Sequence, residues 1–531
     1  MRYSDIAVKV DMDEFAMLPN AGLKAYLNRN VTGYDCEVRT PFSKGESVTE
    51  VLNEWLNICE PMLKSEETFA SLLDFELAKA KQVGPLSIQR PLRDRLDDIV
   101  HYYECVMDGD EYEPIDGSVI RSYIQDVRRA VGGMHAMGMD EAIRRMKKST
   151  SGGLPEFAKR RTLVPYVANA RLERHEIYWR GHWYKVSAIL GWRGQEGGPK
   201  PGDVKQRVVF MFPMLVNLYE SQVYNVLIEA YQKAGLVPAW ISNDAVDLTI
   251  TKLFDSKEES DPVIVTDFTK FDQHFNVQCQ NAVRSVLQST FTEINDWLDA
   301  VYPIKFEIPL MTRWGEVTMG AHGMGSGSGG TNADETILHT LLQRESAKMA
   351  GKQLNPFSMC LGDDGILSYP GCSVEHVTHC YTRHGLDMNE TKQSSSTDSC
   401  VYLQRWHSQH YRVNGRCVGV YSTCRALGRL CEQERYYDPQ LWSREMVAIR
   451  QLSILENIKW HPLREQFADF CITRDIYRLG IDIPGFLDNL SALVSKANDQ
   501  VQDFISYSSS VGEGVTNPDG WWIVSYLKSK A

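Results

Sequence analysis

The sequence predicts an α+β fold, with short strands gathered in the middle of a chain that is helical towards both ends. Three observations predict it. Residues 1–145 mix charged and apolar positions in a mainly helical pattern. Glycine and proline become frequent from 149 to 213, between short strand-like runs. From about residue 425 the pattern is mostly helical again.

The elements follow in order. Segments 85–98 and 121–148 are locally basic and read as solvated helix faces. Val263-Ile-Val-Thr266 reads as a short buried strand. Residues 275–300 read as one helix, and 304–318 as strand with a turn at Trp314-Gly315. A glycine cluster at 320–330 precedes a helix over 331–349, where Ile337, Leu338, Leu341 and Leu342 share one apolar face. Residues 359–369 read as a hairpin that turns at Gly362-Asp363-Asp364-Gly365, since Gly and Asp both suit tight turns. The tail carries a Ser/Gly-rich stretch at 506–514 and then Trp521-Trp522, either a surface loop or a segment folding back to gate a cavity.

Composition narrows the function. With 531 residues and 43% hydrophobic content, the chain can build more than one core. A net charge of −12 excludes a protein that binds nucleic acid over a wholly basic surface. A nucleic-acid enzyme with that charge confines its cations to internal channels. No run of about 20 apolar residues predicts a membrane span. Acids near the start argue against a signal peptide, so the expected place is the cytosol or a particle assembled there. The 12 cysteines lack a framework spacing and read as reduced thiols. Cys372, His376, His379 and Cys380 share a helix face and could hold zinc, although core packing is the favoured reading.

The chemistry lies in the acids. Asp363 and Asp364 at one hairpin tip repel each other unless a cation neutralises them. Asp267 ends an apolar strand, where a carboxylate is costly without a partner. A strand end beside a hairpin tip gathers three carboxylates, the hard oxygen donors that two magnesium ions require. Between them in sequence, Gly325-Ser-Gly-Ser-Gly-Gly-Thr-Asn332 lets backbone approach a ligand closely and opens a helix. It is neither a dinucleotide fingerprint nor a P-loop.

In this order the pieces resemble the palm motifs of viral RNA-dependent RNA polymerases. Asp267-x4-Asp272 is similar to motif A, Ser326-Gly327-x3-Thr331 to motif B, and Gly362-Asp363-Asp364 to motif C. Thr150-Ser151-Gly152-Gly153-Leu-Pro155 is similar to the template-entry loop, motif G. Lys205-Gln-Arg207 looks like motif F, and Lys392 sits where motif D carries its lysine. Val401-Tyr-Leu-Gln-Arg405-Trp406 resembles the primer grip, motif E. Together DFTKFDQHFN, SGSGGTNADET and LGDDG look most like picobirnavirus polymerases, relatives of those of partitiviruses.

The resemblance implies a cupped right hand. Residues 1–148 would bridge fingers and thumb, 149–260 and an insertion at 281–320 form fingers, 261–280 and 321–410 form the palm, and 411–531 the thumb and tail. It implies that Asp267, Asp363 and Asp364 bind two Mg²⁺ ions, replaceable by Mn²⁺, with Asp364 the weaker ligand. Lys205 and Arg207 would hold the triphosphate, with Ser326, Gly327 and Thr331 lining the nucleotide site. Lys392 would assist the departing pyrophosphate. Ser151, Gly152, Gly153 and Arg405 would meet template or primer. Asp272 would accept a hydrogen bond from the ribose 2′-hydroxyl, or instead cap the next helix. Many related enzymes place Asn four residues after the motif B threonine, where this chain has Glu335; Asn332 is the expected partner of Asp272 instead. Implied partners are RNA template and product, ribonucleoside triphosphates and a capsid protein, in the virion interior and host cytoplasm, with synthesis starting without a primer. The rivals are another two-metal enzyme, such as a nuclease or a DNA-making polymerase, and a non-catalytic RNA-binding protein of a particle. Asp272 speaks against a DNA product, and the second rival leaves the acids without a purpose.

Overall fold

A computed structural model describes residues 1–43, 45–436, 438, 440–500 and 517–531. The Ser/Gly-rich stretch at 506–514 lies outside the described residues, and so does its suggested gating role. Both ends are helical and the strands lie between, as the sequence predicts. Among the described residues no helix is long and apolar enough to cross a membrane.

The central sheet has four strands in the order Met359–Leu361, Asp364–Leu367, Val263–Thr266 and Ser394–Ser396, each pair antiparallel. Val263 and Ile264 are fully buried because the strand is covered on both faces. Gly365 stands opposite Thr266 and Leu367 opposite Ile264. This register brings the end of one strand level with the tip of the 359–367 hairpin. Asp267 follows Thr266 as Asp364 precedes Gly365, so the carboxylates meet by strand pairing.

Behind this sheet runs the helix Thr331–Met349. Ile337, Leu338, Leu341 and Leu342 are buried as the periodicity predicts. The buried face is wider than that stripe: Asp334, Glu335, Thr336, His339, Gln343 and Glu345 are also buried. A helix with polar groups buried on several sides must satisfy them from its neighbours.

Residues 275–300 form two helices, Val277–Thr290 and Asn295–Ala300, rather than the single one expected. Phe291 takes an extended backbone that ends the first helix, and Glu293 follows in the break with a left-handed φ of 55°. The expected strand over 304–318 is also shorter. Its start is the 3₁₀ turn Tyr302–Phe306, with Pro303 in the first turn, and Leu310–Arg313 and Glu316–Thr318 are the strands. They enter a five-stranded sheet with Ala7–Lys9, Ala188–Gln195 and Lys205–Met211.

The N-terminal region belongs to two cores. Phe42, Trp55, Leu63 and Leu72 pack with Leu427, Ile449, Phe467 and Leu527 in a helical core. Leu92, Ile99 and Tyr103 pack instead with Leu190, Phe210 and Leu310 beneath the five-stranded sheet. The C-terminal helix Trp522–Lys530 also joins the helical core, its first amides at Trp522 and Ile523 donating to Glu456 at 3.1 and 3.0 Å.

One buried acid fastens the N-terminal helices to this helical core. Glu76, in the helix Ala70–Ala80, accepts hydrogen bonds from Thr423 N at 2.8 Å, Cys424 N at 3.1 Å and Ser422 Oγ at 2.9 Å. These groups open the helix Thr423–Cys431, so Glu76 meets free amides and a positive dipole end. His461 Nε2 lies 3.0 Å from the same carboxylate. Burial pushes the Glu76 carboxyl up, but His461 and the two amides outweigh it and hold it below the usual range. A depressed folded-state value contributes stability above the ordinary glutamate pKa of about 4.3, lost as pH falls through the folded-state value. Glu76→Ala should lower stability by about 3 kcal/mol or more, and flatten the acid dependence of the urea midpoint. An unchanged midpoint would show that Glu76 fastens nothing.

Candidate nucleotidyl-transfer site

The acids gather at the open end of the central sheet. The Asp267 carboxylate has one buried oxygen, Oδ2, without a hydrogen-bond partner, while Lys392 Nζ approaches that oxygen to 3.6 Å. Burial raises the Asp363 carboxyl, with Asp272 and Asp267 adding to the shift and Arg207 opposing it. Burial, then Asp363 and Asp267, push Asp364 up to about 7. Burial is the larger cause in both, with the neighbouring acids adding to it. An orphaned carboxylate oxygen beside two mutually repelling acids fits hard divalent cations. Among the described residues no three acid, histidine or cysteine side chains are arranged as a ready-made metal site.

His339 ties the acids' two supports together. It is fully buried in the 331–349 helix. Its Nδ1 lies 2.9 Å from the Gly362 carbonyl and its Nε2 3.2 Å from Thr266 Oγ1. A carbonyl only accepts, so Nδ1 carries the proton and Nε2 can accept from the threonine. Burial holds the ring near a pKa of about 4, hence neutral. Gly365 leaves room for this ring: a Cβ there would stand 2.4 Å from His339 Cε1 and 2.8 Å from Thr266 Oγ1.

Asp272 sits in the 3₁₀ turn Phe271–His274, whose backbone is clamped to the glycine cluster by Met324 N donating to Asp272 O at 2.7 Å. It does not cap the following helix, because Asn276 Oδ1 accepts from Gln278 N at 2.9 Å. The expected partner Asn332 is elsewhere: its Oδ1 accepts from Trp240 Nε1 at 2.7 Å. Glu335, almost one helical turn on, faces Asp272 and hydrogen-bonds to it. Burial, then Asp272, hold the Glu335 carboxyl well above the usual range. The sequence placed Glu335 at the right position; the identity of the residue, acid for amide, obscured its part.

The Ser/Gly loop is seated by the helix Met214–Ala234. Asn217 Nδ2 donates to Gly327 O at 3.3 Å, and Glu220 Oε1 accepts from Gly329 N at 3.1 Å, with Ser328 donating to the same carboxylate. Ser326 Oγ donates to Val208 O at 3.0 Å. A Cβ on Gly327 would stand 1.6 Å from Phe210 O, so only glycine allows this approach. Thr331 Oγ1 donates back to Ser328 O at 3.2 Å. Lys205 and Arg207 share the exposed face of Lys205–Met211, whose Val208 and Phe210 point inward. Arg207 reaches Gln195 Oε1 at 3.1 Å and its charge acts on Asp363.

Two expectations about template and primer contacts require correction, and the zinc alternative falls away. Gly152 and Gly153 are buried, and a Cβ on Gly153 would stand 2.6 Å from Phe212 O; they shape the loop, leaving only Ser151 partly exposed. Arg405 is 6% exposed and paired with Asp247 at 3.1 Å, with Gly419 O at 3.0 Å, so it holds a hairpin instead of meeting primer. Cys372 donates to Pro262 O, His376 lies against Ser346 O and Cys380 donates to Glu345, so the suggested zinc set does not converge.

A sheet end loaded with carboxylates beneath a glycine loop and a basic strand is a phosphoryl-transfer architecture. The family model of viral RNA-dependent RNA polymerases matches residues 85–418, more than half of the chain. The chain belongs to the viral RNA-dependent RNA polymerases. It is 48% identical over 526 residues to a potential RNA-dependent RNA polymerase of human picobirnavirus, strain Human/Thailand/Hy005102, covering 97% of each chain. The crystal structure of the RNA-dependent RNA polymerase of a human picobirnavirus superposes with a TM-score of 0.93 at 47% identity, over 99% of this chain and 100% of that one. An insertion-loop deletion mutant of such an enzyme gives 0.91 at 46% identity, with 99% and 100% covered. The picobirnavirus likeness read from the three motifs is thus borne out, as are the right-hand fold and the enzyme class.

The packing around His339 gives a test. Gly365→Ala should force strand and hairpin apart and destabilise the chain by about 1–3 kcal/mol in urea unfolding. Wild-type stability in that variant would mean that the ring can move aside.

Proposed function

We propose that this RNA-dependent RNA polymerase works by nucleotidyl transfer from ribonucleoside triphosphates, with Asp267, Asp363 and Asp364 holding two divalent cations, Mg²⁺ by preference and Mn²⁺ in its place. The observation that carries this is the buried Asp267 oxygen that accepts no hydrogen bond and meets only the Lys392 ammonium at 3.6 Å, beside two acids raised above their usual range. When bound, such ions activate a hydroxyl for attack and neutralise a leaving pyrophosphate. Asp267 and Asp363 are the principal ligands and Asp364, first residue of its strand, is the outer one.

The remaining residues position and discriminate. Lys205 and Arg207 hold the triphosphate from the exposed strand face. Lys392, mostly exposed and beside Asp267, assists the pyrophosphate. Ser326, Gly327 and Thr331 shape the floor under the base and sugar. Asp272, with Glu335 beside it, accepts from the ribose 2′-hydroxyl. In this reading the palm is 261–280 with 321–410, and the fingers are 149–260 with 281–320. The thumb and tail are 411–531, and residues 1–148 bridge fingers and thumb. The strands at 310–318 share a sheet with those at 188–211, which supports grouping them as fingers. For a double-stranded RNA virus the setting is a capsid interior and the host cytoplasm, with synthesis started without a primer.

Two measurements test this. Asp363→Ala should lower incorporation of labelled ribonucleotides by at least about 10²–10³-fold while RNA binding and melting temperature persist. Residual activity near wild type would remove Asp363 from the cation site. Asp272→Ala and Glu335→Ala should both lose preference for ribo- over deoxyribonucleotides, by roughly tenfold or more for a lost charge-assisted hydrogen bond. Selectivity that stays unchanged in both counts against the ribose role.

A further inference from the structure

Lys79 lies far in sequence from every motif, in the helix Ala70–Ala80, yet it reaches the acid site. Its ammonium donates to Gln404 Oε1 and lies 5.6 Å from the centre of the Phe75 ring. Gln404 occupies the turn between Ser399–Tyr402 and Arg405–Ser408, where Leu403 and Gln404 both take positive φ. Among the described residues Lys79 makes no ion pair within 4.0 Å. Burial, then Arg425, push it down to about 8, while Glu196 and Asp364 pull the other way. Nearby, Arg425 and Arg429 both lean on the single carboxylate of Glu196, at 3.5 and 3.0 Å. Arg425 and Arg429 thus occupy the Glu196 carboxylate. A partly buried ammonium bound to an amide oxygen, with no carboxylate of the described residues within ion-pair distance, lacks a paired anion.

The surroundings say which anion. Arg405, the hairpin's own cation, is locked on Asp247 and cannot serve. The hairpin packs beside the acids, since Tyr402 feels the charge of Asp364. Arg207 comes from the strand Lys205–Met211, whereas Lys79 comes from the helix Ala70–Ala80 and is hydrogen-bonded to the 399–408 hairpin. Cations from two different elements thus attend the two acids. Nucleotidyl transfer brings two phosphate-bearing partners there, the triphosphate and the strand being extended. Arg207 stands with Lys205 on an open strand face, suited to a mobile triphosphate; Lys79 stands against a fixed hairpin, suited to a backbone.

We propose that Lys79, oriented by Gln404, binds a backbone phosphate at the 3′ end of the growing RNA strand and so holds its terminal hydroxyl towards the acids. This rests on the nucleotidyl-transfer reading above. Lys79 is then a positioning residue, contributed by the N-terminal region in place of Arg405.

The test compares Lys79→Met and Lys79→Arg in the full chain on a primed template. Lys79→Met should raise the KM for primer-template about tenfold, the worth of one charge-assisted hydrogen bond, and leave the nucleotide KM within about twofold. The slope of log affinity against log salt for primer-template, read by fluorescence anisotropy, should fall by about one, and Lys79→Arg should restore most of it. An unchanged salt slope overturns the proposal, whether or not the melting temperature drops. So does a shift confined to the nucleotide KM, which would assign the lysine to the triphosphate. Anisotropy needs no turnover: a wild-type chain that binds primer-template but never extends it would overturn the nucleotidyl-transfer reading and leave this one to its own slope.

Discussion

Carboxylates do not gather unless something makes them, and here the antiparallel pairing of 263–266 with 364–367 does so. That pairing places Asp267 level with the hairpin tip. Strand hydrogen bonds and apolar burial of Val263, Ile264, Ile366 and Leu367 oppose the repulsion among the acids. His339 adds a second bond between the same two elements and stays neutral, so it brings no charge of its own to offset the acids. The site is thereby left with a surplus of negative charge that the protein does not cancel. The two-cation chemistry proposed above would draw on that surplus.

Around this centre the fold separates two tasks. The 331–349 helix and the 214–234 helix hold the Ser/Gly loop from opposite ends, one starting where the loop stops and the other gripping its carbonyl and amide groups through Asn217 and Glu220. The basic strand at 205–211 then approaches within a distance only glycine tolerates. Precision in the nucleotide site thus depends on residues that touch no nucleotide.

Much of this was legible in the sequence because it is local. An acid after four β-branched residues, a Gly-Asp-Asp-Gly turn and a glycine run before a helix are short patterns, and their order identified the class. What escaped notice depends on long-range contacts. Asn332 and Glu335 lie on the same helix, and only packing decides which of them faces Asp272. Arg405 looked like an available cation until Asp247, distant in sequence, was found beside it. His339 sat in an apolar stripe and carried no signal of its bridging role. Lys79 and Glu76 act across several hundred residues, a separation at which spacing carries no information. The 275–300 helix failed for a backbone reason, since Phe291 turns extended straight after Thr290.

The N-terminal region's membership of two cores has a mechanical consequence. Val83 closes the buried part of the helical core, and Leu92 is already inside the core beneath the five-stranded sheet. The link between them is itself fastened, with Gln206 Oε1 accepting from Arg90 N at 3.0 Å and Gln206 also donating to Ile88 O. Nine extended residues span at most about 30 Å. A link this short, pinned to the five-stranded sheet through Gln206, couples the two cores, so any wide swing between them would have to break those hydrogen bonds.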